Sequence, residues 1–256
     1  MTKFLKSLDD LKVLESEESL AFVPTMGALH AGHLSLVDLA QKHAKKVIVS
    51  IFVNPTQFGA NEDLDKYPRP LEEDLKKLAL KKVDYVFLPD TDLIYPHGLK
   101  ISHYANKELN DVLCGAKRPG HFDGVCTVLQ KFFTLINPDF LVLGQKDYQQ
   151  LMVVKDLIQT QGLDIEIIEA PVVREADGLA MSSRNRYLYD DERQKAALLN
   201  KALDAVIAKE QSIDEAKVHL SESGLELEYL EEHWGRLFIA AKLGNTRLID
   251  NKEILK

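Results

Sequence analysis

The stretch of sequence that decides the fold covers residues 22–37 and reads FVPTMGALHAGHLSLV. Its apolar start, up to Thr25, predicts a buried strand, and the apolar-periodic segment after His33 predicts an amphipathic helix. The turn between them carries two histidines, His30 and His33, on either side of Gly32. A strand that passes directly into a helix is the repeating unit of a parallel sheet covered by helices. The stretch therefore predicts an α/β fold with two imidazoles at a helix start.

The same alternation of strands and helices continues from residue 20 to about residue 174. The predicted strands lie at residues 20–25, 47–54, 83–89, 139–144, 165–170 and 171–176. The predicted helices lie at residues 33–46, 70–82, 123–138 and 148–161. Apolar strands that alternate with amphipathic helices favour a parallel sheet with both faces covered. We therefore predict a parallel-sheet α/β domain over residues 1–174.

The pattern changes beyond residue 175. Two polar helices are predicted at residues 190–210 and 212–222, followed by three strands of antiparallel type. These strands read LELEYLEE (225–232), RLFIAAKL (236–243) and TRLID (246–250). Helices followed by consecutive strands are typical of an α+β domain. We therefore predict a second, smaller C-terminal α+β domain over residues 175–256.

The composition argues against several classes of protein. A formal net charge of -8 and a pI near 5.5 argue against a nucleic-acid binder, which needs a surplus of Lys and Arg to neutralise phosphates. The two cysteines, Cys114 and Cys126, are too few for a disulfide framework and lack the spacing of a zinc site. The N-terminus lacks an apolar core of the signal-peptide type, and no later run is long enough to span a bilayer. We therefore expect a soluble cytoplasmic protein without a nucleic-acid or membrane partner.

Polar stretches follow several of the predicted strands. TMGALHAGH follows the first strand, NPTQFG follows the second, and GQKDYQQ follows the strand at residues 139–144. In an open parallel sheet, ligands bind beyond the carboxyl ends of the strands, where the strand order reverses. The coincidence of three such stretches predicts a ligand site at this edge of the sheet.

The histidine pair suggests a site for phosphate. His30 and His33 are three residues apart at a helix start, so their side chains lie on one face, and Gly32 leaves room for a ligand to approach the backbone. Free N–H groups at a helix N-terminus, with two imidazole donors beside them, would bind a polyphosphate. The alternative is a surface pair or a chance metal pair, but no nearby Cys, Asp or third His completes a zinc site.

Three neutral amides are candidates for binding a small hydroxylated molecule. Asn54, Gln57 and Gln150 are expected at strand ends, and an amide donates and accepts hydrogen bonds without adding charge. For Asn54 the alternative is a structural turn, because Asn-Pro is a turn signal. That alternative explains Gln57 less well.

Two further stretches are basic. Lys146, next to Asp147, offers a compact positive charge to phosphate at a strand end, and the alternative is a solvated loop. The stretch Met181-Ser182-Ser183-Arg184-Asn185-Arg186 joins hydroxyl and guanidinium groups and would form a phosphate clamp, with Gly178 as a hinge, or else a basic linker. The stretch RPGHF (118–122) would close over an anion or simply start a helix.

The motifs PTMGALHAGH, FVNPTQF, RPGHFDGV, GQKDYQQL and READGLAMSSRNRYL, in this order, resemble the pantothenate synthetase (pantoate–β-alanine ligase) family. The resemblance extends from about residue 20 to the final TRLIDN. It implies a Rossmann-like domain with a small C-terminal lid domain, and usually a homodimer. It also implies ATP-dependent, AMP-forming condensation of pantoate with β-alanine through a pantoyl adenylate, with Mg²⁺.

The resemblance also implies roles for individual residues. The catalytic residues would be His30, His33, Lys146 and Arg184. The ATP-binding residues would be Met26, Gly32, Gly144, Lys146, Asp147, Val173, Met181, Ser182, Ser183 and Arg184. The pantoate-binding residues would be Thr25, Met26, Asn54, Gln57 and Gln150. Asp74 is a candidate to lie near the magnesium ion.

The sequence departs from this family at two places. Gln145 stands where the family usually has an acid, and the segment between the strands LELEYLEE and RLFIAAKL is shorter than usual. The resemblance also implies membership of the HxGH nucleotidyltransferase superfamily. Two other classes compete with the family assignment: another adenylyl-transferring enzyme of that superfamily, and a nucleotide-binding regulatory protein that has lost the chemistry. The amides favour a small hydroxy acid over a second nucleotide, and the presence of His30, His33, Lys146 and Arg184 together argues against lost chemistry.

Overall fold

A computed structural model describes residues 2–15, 18–60, 62–103 and 106–254. The chain divides into two compact units. The first comprises Met1–Gln145 and Gln149–Ala170, and the second comprises Lys146–Tyr148 and Pro171–Lys256. The predicted domain boundary after residue 174 stays a prediction, and the compact units change over between Ala170 and Pro171.

The first unit is built on a parallel sheet of six strands among the described residues, in the order β1-β4-β3-β2-β5-β6. The strands are β1 (Lys3–Leu5), β2 (Leu20–Thr25), β3 (Lys46–Ile51), β4 (Tyr85–Phe87), β5 (Phe140–Gly144) and β6 (Glu166–Ala170). Every pairing in this sheet is parallel. The predicted α/β fold with a parallel sheet is therefore confirmed.

The helices of the described chain cover the sheet and form part of the second unit. They are α1 (Leu8–Leu11), α2 (Ala31–His43), α3 (Leu71–Leu80), α4 (Thr91–Ile94), α5 (Lys107–Asn110), α6 (Leu113–Lys117), α7 (His121–Ile136), α8 (Tyr148–Gln161), α9 (Asp190–Ala196), α10 (Leu198–Ile207) and α11 (Ile213–Glu222). Single 3₁₀ turns lie at Lys12–Leu14, Pro55–Gln57, Gln145–Asp147 and Ser183–Tyr187.

The core strands are apolar on both faces because helices cover both sides of the sheet. On one face, Val23 and Val49 pack into a cluster with Val37 of α2 and Leu78 of α3. On the other face, the Phe22 ring meets the edge of Phe132 of α7 at a centroid distance of 5.6 Å. Successive side chains of β2 therefore serve two separate cores.

The strand order reverses at β2, which pairs with β3 on one side and β5 on the other. The chain proceeds from β2 through β3 to β4 in one direction, and later from β5 to β6 in the other. Such a reversal opens a crevice beyond the carboxyl ends of the two central strands. The segment that follows β2 contains His30 and His33.

The second unit contains the antiparallel sheet β7-β8-β9, formed by β7 (Glu226–His233), β8 (Arg236–Leu243) and β9 (Thr246–Glu253). Leu199 and Leu203 of α10 and Leu220 of α11 pack against Leu230 and Ile239 of this sheet. The predicted α+β character of this region is confirmed.

Three local predictions differ from the structure. Residues 171–176 do not form a strand; Arg174 makes a single bridge to Ala180, and Pro171 has no N–H to add to a ladder beside the edge strand β6. The predicted helix 190–210 is two helices separated at Ala197, which keeps helical torsion angles and so leaves the sequence pattern uninterrupted. The sequence prediction missed β1, because three residues are too few to show an alternation.

No helix within the described ranges combines the length and the apolar character needed to cross a membrane.

Candidate active site

The loop after β2 begins at Thr25, whose buried side chain fastens it to the neighbouring strand. Thr25 Oγ1 donates to the main-chain oxygen of Ser50 at 2.6 Å and accepts from the Gly27 N–H at 3.2 Å. Gly27 has φ +81°, and a Cβ there would lie 3.0 Å from Ile51 and 3.1 Å from Asp74. The turn therefore requires glycine at position 27, both for its backbone torsion and for space.

Asp74, in the first turn of α3, holds the next part of this loop. Its carboxylate is buried, and its two oxygens accept the main-chain N–H groups of Ala28 and Leu29, each at 2.7 Å. Ala28 has φ +51°, a left-handed conformation that is unfavourable for alanine, and these two charge-assisted hydrogen bonds stabilise it. In the described structure Asp74 therefore orients the loop, and its proximity to magnesium stays a prediction.

The two histidines together form the cap of helix α2. His30 is the N-cap, and its Nδ1 accepts the Gly32 N–H at 3.1 Å, while Nδ1 of His33 accepts the His30 N–H at 3.3 Å. The ring centroids lie 4.0 Å apart. Because each Nδ1 accepts a hydrogen bond, the neutral ring carries its proton on Nε2. Both imidazoles therefore have a donor nitrogen on the side away from the backbone, at the positive end of a helix of thirteen residues.

Asn54 follows β3 and is almost completely buried, with 1% of its surface exposed. It caps the 3₁₀ turn Pro55–Gln57, since its Oδ1 accepts from the Thr56 N–H at 3.4 Å and from the Tyr95 hydroxyl at 2.6 Å. Its Nδ2 donates to Gln57 Oε1 at 3.0 Å and to the Gly124 main-chain oxygen at 3.3 Å. The hydrogen bonds of Asn54 are therefore those of a residue that stabilises a turn, which was the alternative to a ligand-binding role. The bond from Asn54 Nδ2 also orients the Gln57 side chain.

The second end of the Gln57 amide has a weak partner. Gln57 Nε2 donates to the sulfur of Met26 at 3.3 Å, and thioether sulfur is a poor acceptor. An oxygen acceptor that reached this amide would replace the sulfur with a stronger bond. The structure thus brings together Met26, Asn54 and Gln57, three of the residues that the family resemblance assigns to pantoate.

Helix α7 packs directly against this turn. A Cβ on Gly124 would lie 2.2 Å from the main-chain oxygen of Thr56 and 2.8 Å from Gln57 Cα. Only glycine permits this approach of one backbone to the other. The start of α7 also brings Arg118 and His121 to the main-chain oxygen of Gln57. Sequence reasoning left these two residues open between a lid and a helix start.

The remaining pantoate candidate, Gln150, lies partly exposed in the first turn of α8. Its neighbour Gln149 is buried and serves the fold: its amide donates to the main-chain oxygens of Leu109 and Val112, each at 2.8 Å, and accepts from the Cys114 N–H at 2.9 Å. The sequence alone does not tell these two adjacent glutamines apart.

Gly144 ends β5, and a Cβ there would make only ordinary contact, 3.8 Å from Leu36. Gln145, which follows it, donates from Nε2 to Glu169 Oε2 at 3.0 Å. The other oxygen of Glu169 accepts from Lys155 at 2.5 Å. The carboxylate beside position 145 is therefore supplied by Glu169 of β6, next to the position where the family usually carries its own acid.

In the second unit, the Lys146–Tyr148 segment is anchored to the antiparallel sheet. The Lys146 main-chain oxygen accepts from Nδ2 of buried Asn251 at 2.9 Å, and Arg236 lies over the Tyr148 ring at 4.4 Å from its centroid. The Lys146 ammonium is 3.8 Å from the Asp147 carboxylate, which is about half exposed. Because this contact is long, the ammonium is able to donate a shorter hydrogen bond to another anion.

The serine and arginine stretch also belongs to the second unit. The Met181 N–H donates to the Val173 main-chain oxygen at 3.0 Å, and Ser182 Oγ caps the following 3₁₀ turn by accepting the Arg184 N–H at 3.2 Å. Ser183 is buried. Gly178, the expected hinge, has φ +91°, and a Cβ there would lie 2.6 Å from Asn200 Nδ2. This close approach favours a fixed turn over a hinge.

Among the described residues, no group of three or more His, Cys, Asp or Glu side chains is arranged to hold a metal ion. A magnesium ion that entered with a nucleotide would need few protein ligands, because Mg²⁺ is commonly held by phosphates, water and one or two carboxylates.

The fold and the site define a Rossmann-like α/β protein in which two histidines cap the helix that follows the central strand β2. A sequence model of the family described as pantoate-beta-alanine ligase matches residues 2–253. The chain belongs to this family.

Named relatives agree with that assignment. A pantothenate synthetase of Psychrobacter sp. is 43% identical and covers 99% of both chains, and that of Shewanella oneidensis is 47% identical and covers 91% of both. The pantothenate synthetase structure from Thermus thermophilus aligns with a TM-score of 0.91 at 38% identity, covering 99% of this chain and 100% of that one. A pantoate-beta-alanine ligase from Francisella tularensis, complexed with beta-gamma ATP and β-alanine, aligns with a TM-score of 0.90 at 36% identity, covering 99% and 98%.

Proposed function

We propose that this protein is an AMP-forming ligase that joins pantoate to β-alanine, with ATP as the energy source and pantoyl adenylate as the intermediate. The observation that carries the proposal is the family match over residues 2–253, and the histidine cap of α2 supports it because both imidazoles lie at a helix N-terminus. In the first step the pantoate carboxylate attacks the α-phosphorus of ATP and pyrophosphate leaves. In the second step the β-alanine amine attacks the acyl carbon and AMP leaves.

The chain needs no general base for the first step, because a carboxylate is already ionised at neutral pH. Catalysis is then mainly placement and stabilisation of charge on the phosphates. We assign the Nε2–H groups of His30 and His33 to the phosphate oxygens. Both donors are fixed in direction by the Nδ1 bonds to the backbone, so little reorganisation is required when charge develops.

We assign pantoate to the loop and turn of the first unit. Gln57 Nε2, now bonded to the Met26 sulfur, would donate to a pantoate oxygen. Asn54 would act through Gln57, because its own amide is already occupied by the fold. Thr25 and Gln150 complete the proposed set.

We assign ATP to a second set of residues. Met26, Gly32 and Gly144 would contact the nucleotide. The cations Lys146 and Arg184 would neutralise phosphate charge, with Ser182 and Ser183 as hydroxyl donors. The remaining proposed ATP contacts are Asp147, Val173 and Met181.

We propose that Mg²⁺ accompanies ATP and offsets charge on its phosphates. No described cluster of protein groups forms a metal site by itself, so no step is assigned to the ion through protein ligands. A homodimer, a cytoplasmic location, and a lid role for a domain of residues 175–256 belong to the same proposal.

The test is exchange of labelled pyrophosphate into ATP, measured with Mg²⁺ and pantoate but without β-alanine. We expect exchange that depends on pantoate, because only adenylate formation is reversible under these conditions. Addition of β-alanine should then yield pantothenate and AMP in equal amounts. If ATP binds but pantoate promotes no exchange, the assignment of pantoate as the acyl substrate is wrong.

A further inference from the structure

Three polar side chains, Glu62, Arg118 and His121, form a cluster beside the N-terminus of α7 that the proposed mechanism does not use. Arg118 donates to both oxygens of Glu62, from Nε to Oε1 at 2.7 Å and from Nη2 to Oε2 at 2.5 Å. Both side chains are mostly buried, with 16% and 24% of their surface exposed. Burial raises the pKa of the Glu62 carboxyl, but the hydrogen bonds and charge of Arg118 outweigh it and hold that pKa below its ordinary value. Glu62 is therefore ionised at neutral pH.

The third member, His121, is held in one protonation state by its two neighbours. Its Nε2 lies 2.8 Å from Arg118 Nη1, and a guanidinium only donates, so Nε2 accepts. Its Nδ1 lies 2.8 Å from the main-chain oxygen of Gln57, so Nδ1 carries the proton and donates. The arrangement is satisfied only by the neutral ring, because a second proton would face the guanidinium.

The cluster ends on the residue proposed to contact pantoate. The Gln57 main-chain oxygen accepts from His121 Nδ1 at 2.8 Å and from Arg118 Nη2 at 3.4 Å. Its side chain is fixed separately by Asn54. Gly124 of α7, which has no Cβ, lets the helix backbone pack directly against the same turn. The main chain of Gln57 is thus held from α7 and its side chain from the end of β3.

We propose that Glu62, Arg118 and His121 are positioning residues that fix the main chain of Gln57, and thereby the place of its side-chain amide, and so determine the affinity for the acyl substrate. This inference rests on the proposed function, since it takes pantoate as the ligand of Gln57. The competing interpretation is a cluster that only stabilises the fold, which would affect all kinetic constants together.

Two substitutions of His121 separate its two hydrogen bonds. In His121→Asn the amide nitrogen occupies the place of Nδ1 and can still donate to the Gln57 oxygen. In His121→Gln the longer amide occupies the place of Nε2, so it can still accept from Arg118, but the Gln57 oxygen loses its 2.8 Å donor and keeps only the 3.4 Å bond from Arg118 Nη2. Both variants lose the ring, which makes each a control for the other.

The measurement is pantoate-dependent pyrophosphate exchange, with apparent KM determined for pantoate and for ATP. We expect His121→Gln to raise the pantoate KM about tenfold and the ATP KM less than about twofold. His121→Asn should keep the pantoate KM within about threefold of the parent value. Equal effects of the two variants on the pantoate KM, or a parallel rise in both KM values, would overturn the proposal.

A second readout uses Gln57→Ala as a background. If His121 acts through Gln57, His121→Gln should change the pantoate KM of the Gln57→Ala protein by less than about twofold. A tenfold effect in that background would show that His121 acts by another route. The absence of pantoate-dependent exchange in the unmodified protein would instead refute the proposed function.

Discussion

Gly124→Ala is the most direct test of how α7 positions the Pro55–Gln57 turn. The added Cβ would lie 2.2 Å from the Thr56 main-chain oxygen, whereas Cβ atoms essentially never come within 3.0 Å of another heavy atom, so the two backbones must separate by about 0.8 Å. The bond from Asn54 Nδ2 to the Gly124 oxygen, already 3.3 Å, would be lost or weakened by that movement. The substitution therefore displaces the turn that carries the Gln57 amide.

The expected magnitude has two parts. Overpacking of this kind costs about 1–3 kcal/mol, and the better helix propensity of alanine offsets up to about 1 kcal/mol of it. For a chain of this size, a net loss of about 1–2 kcal/mol corresponds to a fall in Tm of roughly 2–8 °C. A displacement near 1 Å reduces reaction rates by up to about a hundredfold when it moves a substrate-positioning group. We expect pantoate-dependent exchange to fall about 10–100-fold, with ATP binding little changed.

The assay combines pyrophosphate exchange at varied pantoate, ATP binding by calorimetry, and thermal unfolding. Gly59→Ala is the matched control, because the nearest atom to its added Cβ is Glu62 Cγ at 3.6 Å, an ordinary contact. The control should keep parental exchange and Tm. A Gly124→Ala protein with parental pantoate KM and Tm would refute the contact between α7 and the turn.

Three further perturbations test other parts of the structure. Asp74→Asn places an amide NH₂ against one of the two loop N–H groups, so the free energy of unfolding in urea should fall by about 2–4 kcal/mol. The control Asp38→Asn removes a surface ion pair with Lys81 and should cost less than about 1 kcal/mol. Equal stabilities of the two variants would contradict the orienting role of Asp74. His33→Ala should lower the pyrophosphate exchange rate about 10²–10³-fold with little effect on ATP binding. His33→Asn keeps an acceptor for the His30 N–H but has no Nε2 donor, so it should restore stability without restoring the rate. A rate near that of the parent in either variant would remove His33 from the chemistry. Burial raises the pKa of the Cys126 thiol to about 12, so from about pH 9 upward the unfolded chain releases this proton while the folded chain keeps it. The free energy of unfolding should therefore fall by up to about 1.4 kcal/mol per pH unit over that range, and Cys126→Ser should remove this dependence.

The division between the two compact units separates the proposed site residues into two groups. The histidine pair and the amides lie in the first unit, whereas Lys146 and the serine and arginine stretch lie in the second. Lys146 follows a strand of the first sheet directly, yet Asn251 and Arg236 hold its segment to the antiparallel sheet. A sequence pattern assigns a residue to its neighbours along the chain, so it places Lys146 with β5.

Some features of the fold and site were predictable because they depend on local order in the chain. The apolar pattern predicted the major strands and helices, and glycine with paired histidines at residues 27–33 indicated a strand-to-helix turn; the anion site there stays a prediction. The five motifs predicted the family, which the match over residues 2–253 confirms. These signals need no knowledge of distant contacts.

Other features were decided by the tertiary structure, because they depend on residues far apart in sequence. The sequence contains Asp74 as one acid among three at a helix start, and only the fold brings it to the amides of Ala28 and Leu29. Gln149 and Gln150 are adjacent residues of the same type, so the sequence does not show which of them is buried. The packing of α8 buries Gln149. Glu62, Arg118 and Gln57 meet because α7 packs on the turn after β3, and the direction in which Arg118 donates then determines the tautomer of His121. The sequence by itself determined which elements form and which polar groups lie at their ends. The tertiary structure decided which of these polar groups orient others and which have a weak, replaceable partner. The reason is that hydrogen bonds between distant residues form only after the elements have packed.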